Sequence, residues 1–293
     1  GRISGYGWSF GYVGGLIALV IVMILFVNPE VPAFGFSTEN GENIRASNLL
    51  VAIWFAIFSI PTFLFVKDKP INQRISLGLI KSSYSQIKKT FSNIRRYKQT
   101  SRFLVARILY NDGLITIFSF GGIYAAGTFG FTFNEIMIFG IVLNVFAGIG
   151  AFLMGFLDDY LGGKKTIQIS NIGLIVATVI AVSVPNRELI SISFPYPVII
   201  TGTTMFWFSG ILIGLFSGPN QSSSRSLMAR FTPKGKENEL FGFFAFSGKA
   251  TAFIGPFLLG IFTQIFHSQR AGVAVVAILV LSGYLILRSV DED

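Results

Sequence analysis

Apolar residues gather along this chain in blocks of about 20, the length that crosses a bilayer as a helix. Eight blocks come near that length: 9–27, 47–66, 103–127, 133–156, 167–184, 199–221, 240–266 and 271–288. Only a short turn, His267 to Arg270, separates the last two. The widest polar interval, 67–102, leaves two spans before it and six after. Within it Ile80, Tyr84, Ile87, Phe91 and Ile94 recur every three or four residues, with Lys81, Lys88, Lys89, Arg95 and Arg96 between them. That spacing predicts a basic amphipathic helix lying on the inner leaflet. Its role is a linker between two helical bundles, with lipid sensing the alternative. The pattern predicts an all-α integral membrane protein.

Charge orients the spans. Intervals 67–102, 158–165 and 225–239 hold ten, two and four Lys or Arg, whereas 28–45, 128–132, 185–198 and 267–270 hold one, none, one and one. By the positive-inside rule the first set is cytoplasmic. Eight spans then place both chain ends on that side as well.

Composition narrows the chemistry. The chain has 293 residues, 52% hydrophobic and 13% charged, against about 25% charged for soluble domains. The net charge of +9 is explained by basic loops at a membrane, so no nucleic-acid partner is expected. There is no cysteine, one histidine and no G-x-x-x-x-G-K-[ST] loop. These counts exclude a disulfide framework, a thiolate nucleophile and a Walker-type ATP site. No metal, cofactor or enzymatic activity is expected, and energy must come from a gradient.

Residues 155–165, GFLDDYLGGKK, carry the pattern G-x-L-x-D-x-x-G-x-K-K through Gly155, Leu157, Asp159, Gly162, Lys164 and Lys165. Gly155 permits close helix approach and Gly162 a tight turn. Asp159 can meet a helix N-terminus or an arginine, and Arg225 is the candidate partner for a gate-closing latch. The stretch resembles the signature loop of the major facilitator superfamily, which joins the second and third helices of each six-helix half. An internal echo agrees: GWSFGYVGG (7–15) aligns with GKATAFIGP (248–256), matching Gly7 to Gly248, Tyr12 to Phe253 and Gly14 to Gly255. The first span then counts as helix five of twelve. The chain begins with Gly1 rather than Met, and helices one to four are expected upstream of it. The division is 1–66 for the last two helices of the N-terminal half, 67–102 for the linker and 103–293 for the C-terminal half.

Three further stretches carry a finer resemblance: YNDG with IFSFGGIYAAGTFG (110–113 and 117–130), GPNQSSSRSLMARFTP (218–233) and GFFAFSGKATAFIGP (242–256). They resemble the vacuole-effluxer-like branch of the superfamily, over nearly the whole chain. Its fungal members are associated with autophagy and release of amino acids from the vacuole; its bacterial members are plasma-membrane proteins. The resemblance implies amino-acid export by alternating access, in a bacterial-type plasma membrane or else a vacuolar one, by a protein working as a monomer. A proton-coupled exporter of another metabolite or drug is the alternative transporter. A non-transporting scaffold or sensor on the same fold is the alternative class.

Polar groups inside the spans are the candidate site. Asp112, beside Asn111, lies roughly 14 Å past Phe103 at 1.5 Å per residue, and costs about 2.5–3.5 kcal/mol on insertion scales. Thr116 and Ser119 follow at i+4 and i+7 and make one polar stripe. In the superfamily fold this helix borders the central cavity, so Asp112 is expected to carry a proton or bind substrate; the alternative is a structural bond to a neighbouring helix. Lys249 lies at similar depth on the 240–266 span. It is expected either to form a switchable ion pair with Asp112 or to bind a substrate carboxylate. Asn220 and Gln221, beside Pro219, are candidate substrate ligands. Thr132 to Glu135 reads as a capping box. Asn144 can face the cavity or bond another helix, and Arg107, near the inner surface, can snorkel. His267 is read as incidental. The partners expected are a small solute, protons and the bilayer.

Overall fold

The structure, a computed structural model, describes residues 1–66, 97–185, 188–192 and 198–292, with Gly78, Lys81, Ser82 and Ser85 as isolated residues between. The amphipathic segment 80–94 lies almost wholly outside the described residues. Two compact units are present: residues 13–86, and residues 1–12 with 87–293.

In the smaller unit the latter part of α1 (Arg2–Val22) runs into a π-helical turn, Met23–Val27, and the chain returns as α2 (Glu42–Phe65). The turn is built on Phe26, whose ring meets Phe34 and Phe36 at 6.3 and 6.0 Å. The Asn43 amide donates to the Phe26 carbonyl at 2.7 Å, satisfying an acceptor that the irregular turn leaves free.

The larger unit is built of α3 (Lys98–Phe129), α4 (Phe133–Leu161), α5 (Gly163–Ser183), a β1–β2 hairpin (Glu188–Ile192 with Val198–Thr201, antiparallel), α6 (Gly202–Phe231), α7 (Glu237–Ala250), α8 (Ile254–Phe266) and α9 (Gln269–Arg288). Gly130 ends α3 with φ +72, a left-handed conformation open to glycine at little cost. The capping box begins α4 as expected: Thr132 Oγ1 accepts from the Glu135 N–H, and Glu135 accepts from the Thr132 N–H.

Seven helical stretches among the described residues are long and apolar enough to cross a membrane. The remaining block, 199–221, is helical from Gly202 onward, and α6 extends ten residues beyond it, to Phe231. Its serines and amides dilute its apolar character. They are nonetheless buried, because α6 faces protein rather than lipid: Ser217, Asn220, Ser222, Ser223 and Ser224 are at most 2% exposed. Large apolar side chains elsewhere, such as Phe10, Phe55, Phe63 and Phe246, are exposed.

Glycines set the packing around α6. A Cβ at Gly150 would fall on the Leu215 carbonyl, one at Gly214 on the Leu143 carbonyl, and one at Gly218 on the Ala147 carbonyl. The backbones of α4 and α6 thus touch along two turns, the small-residue packing of membrane helices. At one end of this pair Phe129, Phe139 and Phe206 stack with ring centroids 4.4 and 5.1 Å apart.

One expected element is different. The span 240–266 is not continuous: α7 ends at Ala250, a turn covers 251–253, and α8 begins at Ile254. Pro256 supplies the reason, since it has no N–H for the Ala252 carbonyl and its ring crowds the preceding turn.

Candidate functional site

The break between α7 and α8 is met by the polar residues of α3. Arg107 Nη1 donates to the Phe244 carbonyl at 2.9 Å and to Ser247 Oγ at 3.0 Å, and its guanidinium lies 3.7 Å from the Phe244 ring centroid. Asn111 donates to the Gly248 carbonyl at 3.4 Å. Thr251, the first residue past α7, donates its hydroxyl to Asp112 Oδ1 at 3.1 Å. Residues 107, 111 and 112 thus serve successive turns of α7 and the break itself. Below the break, α8 crosses α3 at Gly255, where a Cβ would meet Thr116 Oγ1 and the Asp112 carbonyl. Asp112 is 1% exposed and Thr116 fully buried, with the Thr116 hydroxyl donating to the Asp112 carbonyl at 2.7 Å.

This geometry corrects two expectations. Arg107 does not snorkel; it is half-buried and clamps the end of α7. The Asp112–Lys249 pair is not formed, because Asp112 bonds Thr251 while Lys249 is exposed. Ser247, Gly248 and Thr251 turn toward α3, and Lys249, 100° further round than Gly248, turns away.

A cavity of about 750 Å³ lies further along α3. Its polar lining includes Thr116, Ser119, Asn144, Thr178 and Gln269, amid mainly aliphatic and aromatic side chains. Asn144 lines the cavity, and its amide donates to the Gly140 carbonyl of its own helix at 2.8 Å rather than to another helix. Asp112 and Lys249 do not line this space.

Asn220 turns away from it. Its amide donates to Asn171 Oδ1 on α5 at 2.7 Å, and it is 1% exposed. Gln221 donates to the Tyr12 hydroxyl at 3.4 Å.

The signature loop is held differently from the expected latch. Asp159 accepts from Arg2 Nε at 2.6 Å, and Arg225 is exposed and does not reach it. The neighbouring Asp158, 1% exposed, takes the arginine of α6 instead: Arg230 Nη2 donates to Asp158 Oδ1 at 2.5 Å. Arg230 also bridges to Glu292. The Glu292 carboxylate accepts the Gly163 and Lys164 N–H groups at 2.9 and 2.6 Å, capping the positive end of α5. Lys164 Nζ donates to the Arg288 carbonyl at 3.1 Å, while Lys165 is exposed. Gly155 and Gly162 behave as expected: a Cβ on the first would lie 3.4 and 3.5 Å from the Arg2 and Gly5 Cα atoms, and the second turns the chain with φ +91. Arg230 lies five residues beyond Arg225, so the two point to different faces of α6. Pairing by sequence proximity could not choose between them.

Replacing Arg230 with Gln is expected to cost about 2 kcal/mol. That is below the ~3–5 kcal/mol of a fully buried pair, because the guanidinium is a third exposed. A double-mutant cycle with Asp158→Asn, read by denaturation, checks it; additivity within ~0.5 kcal/mol would show that the pair is not coupled.

Comparison with known proteins gives a consistent picture. A family model described as "Vacuole effluxer Atg22 like" matches residues 1–293. The Bacillus subtilis protein "Uncharacterized MFS-type transporter YxiO" is 25% identical over 295 residues, 99% of this chain and 63% of its own. "Autophagy-related protein 22" of Yarrowia lipolytica is 24% identical over 319 residues, covering 100% of this chain and 50% of its own. The chain therefore spans about half to two thirds of the length of these relatives. The crystal structure of the Escherichia coli fucose:proton symporter matches with TM-score 0.66 and 14% identity, over 97% of this chain and 67% of the symporter. That likeness shows the major facilitator fold.

Proposed function

The chain belongs to the Atg22-like vacuole effluxer family, and from that premise we propose that it works as a secondary transporter exporting a small polar solute, amino acids first among them, by alternating access. Residues 103–293 are the C-terminal six-helix half, and 1–66 the last two helices of the other half, joined by 67–102. The membrane is the plasma membrane or a vacuolar one.

The observation that carries this reading is the polar seam between α3 and the broken α7–α8 helix. Discontinuous helices form binding and coupling sites in transporters, because unwound backbone offers groups that a regular helix consumes internally. Here a buried carboxylate holds the first residue of the break through one neutral hydroxyl. A single weak donor leaves Asp112 short of partners as an anion, since a carboxylate oxygen accepts more than one bond. A proton or a cationic group of the solute completes its shell. Either change weakens the hold on Thr251, so the break is where occupancy is turned into motion. Lys249, exposed on the same short segment, is the cation assigned to a solute carboxylate. Thr116 and Ser119 lead from Asp112 to the 750 Å³ cavity, whose mainly apolar wall suits a solute with an apolar body. The family and fold are those of transporters rather than enzymes.

Thermal stability of the purified protein against a panel of amino acids and other metabolites tests this. A ligand at a hundredfold excess over Kd raises stability by about 2.7 kcal/mol. The expected result is a shift with a subset of amino acids, lost in Asp112→Asn. A shift with other solutes alone removes the amino-acid assignment. Solute uptake or efflux in vesicles unchanged from empty membranes removes the transporter reading.

A further inference from the structure

Among the described residues, four buried polar atoms at one end of the larger unit have no partner: Asp158 Oδ2, Ser223 Oγ, Asn220 Oδ1 and Asn171 Nδ2. Buried polar groups in folded proteins are almost always bonded to protein or to ordered water. Ser223 and Asn220 are on α6, Asp158 is on α4 and Asn171 on α5. Ser226, Ser223 and Asn220 recur every three residues, each step rising about 4.5 Å. Ser226 donates to Asp158 Oδ1 at 3.5 Å, and Asn220 donates to Asn171 Oδ1 at 2.7 Å. The stripe thus runs from the Asp158 clasp to the Asn171–Asn220 pair. Its outer end opens on a pocket of about 750 Å³ lined by Ser226 and Arg230.

The Asn171–Asn220 pair says what the ligand is. With one bond made between the two amides, one N–H₂ donor and one carbonyl acceptor remain. Flipping both amides exchanges their owners but leaves one of each. A cation satisfies only the acceptor and an anion only the donor. Water satisfies both, and a buried water typically makes about three bonds to groups of this kind. The Ser223 hydroxyl, which both donates and accepts, supplies the third.

We propose that Asn171, Asn220 and Ser223 form an internal water site, and that it is the inner end of a file of solvent entering beside Asp158 and Ser226. The site lies against Pro219, where α6 lacks an N–H for the Leu215 carbonyl. Solvent there lets the α5–α6 contact change without stranding polar groups. Asn220 is thereby a solvent ligand inside the moving half and not a substrate contact.

An experimental structure at a resolution that shows waters tests the site in the unaltered protein. Density is expected within hydrogen-bonding distance of the free amide atoms of both asparagines. Reciprocal amide bonding, or empty space, overturns the proposal. Density and a melting temperature that follow sodium, and not potassium or choline, overturn it in favour of a cation. Access is tested separately. The 293-residue chain has no cysteine, so Ser223→Cys introduces its single thiol with little change in size. Methanethiosulfonate ethylammonium, a charged reagent, should modify it at least about tenfold faster than Leu174→Cys, buried at 0% exposure on α5. Equal rates in the two variants overturn the file.

Discussion

Gly218→Leu is expected to leave almost no monodisperse protein after extraction from the membrane. The added side chain begins on the Ala147 carbonyl, with Ala151 Cβ 3.1 Å away. Overpacking in a core commonly costs about 1–3 kcal/mol where side chains can shift aside. Here the obstacle is backbone, and Gly214 and Gly150 hold the same two helices together one turn to either side. Parting α4 from α6 at one glycine therefore loosens all three. Gly150→Leu should behave alike. Gly140→Ala is the control, because nothing lies within 4 Å of its added Cβ; it should match the parent or gain up to ~1 kcal/mol from helix propensity. Size-exclusion profiles decide. A well-folded Gly218→Leu protein would mean that α4 and α6 are not in backbone contact.

The second large effect is functional. Asp112→Asn is expected to lower transport at least about tenfold, a barrier change of ~1.4 kcal/mol or more, while the protein keeps its melting temperature within a few degrees. The amide oxygen can still accept from Thr251, so the bond across the break survives. What is lost is the ability to change charge. Thr251→Val makes the complementary change: it removes the donor and keeps the carboxylate. It should weaken both fold and transport, since a buried acceptor then loses its partner. A fully active Asp112→Asn protein would reduce Asp112 to a structural bond. Lys249→Ala separates the two proposed roles of charge, because Lys249 takes no part in holding the break. It should impair solutes with a carboxylate and spare those without one.

Much of this was legible in the sequence because it depends on short spans of chain. The blocks of apolar residues mark helices wherever a segment must satisfy its own backbone in lipid. The capping box at Thr132–Glu135 and the turn at Gly162 were legible because caps and turns are decided within four residues. Asp112 stood out because a carboxylate within a span is costly wherever its side chain points. The helix break was marked by Pro256, but within an otherwise apolar span a proline allows either a kink or a full stop. The Pro219 segment of α6, by contrast, stays helical throughout.

What the sequence alone determined is thus the class: a helical membrane protein with a signature loop and a small set of polar residues at depth. Partnership was decided by the tertiary structure. Asp112 meets Thr251 and not Lys249; Asp158 meets Arg230, where Asp159 and Arg225 were expected to meet; Asn220 meets Asn171 and not the cavity. The physical reason is angular. Each residue turns a helix by 100°, so a shift of one position redirects a side chain to a different neighbour. Which neighbour stands there is fixed by helix packing, here by glycines that bring α4 onto α6 and α8 onto α3, contacts between segments far apart in the chain.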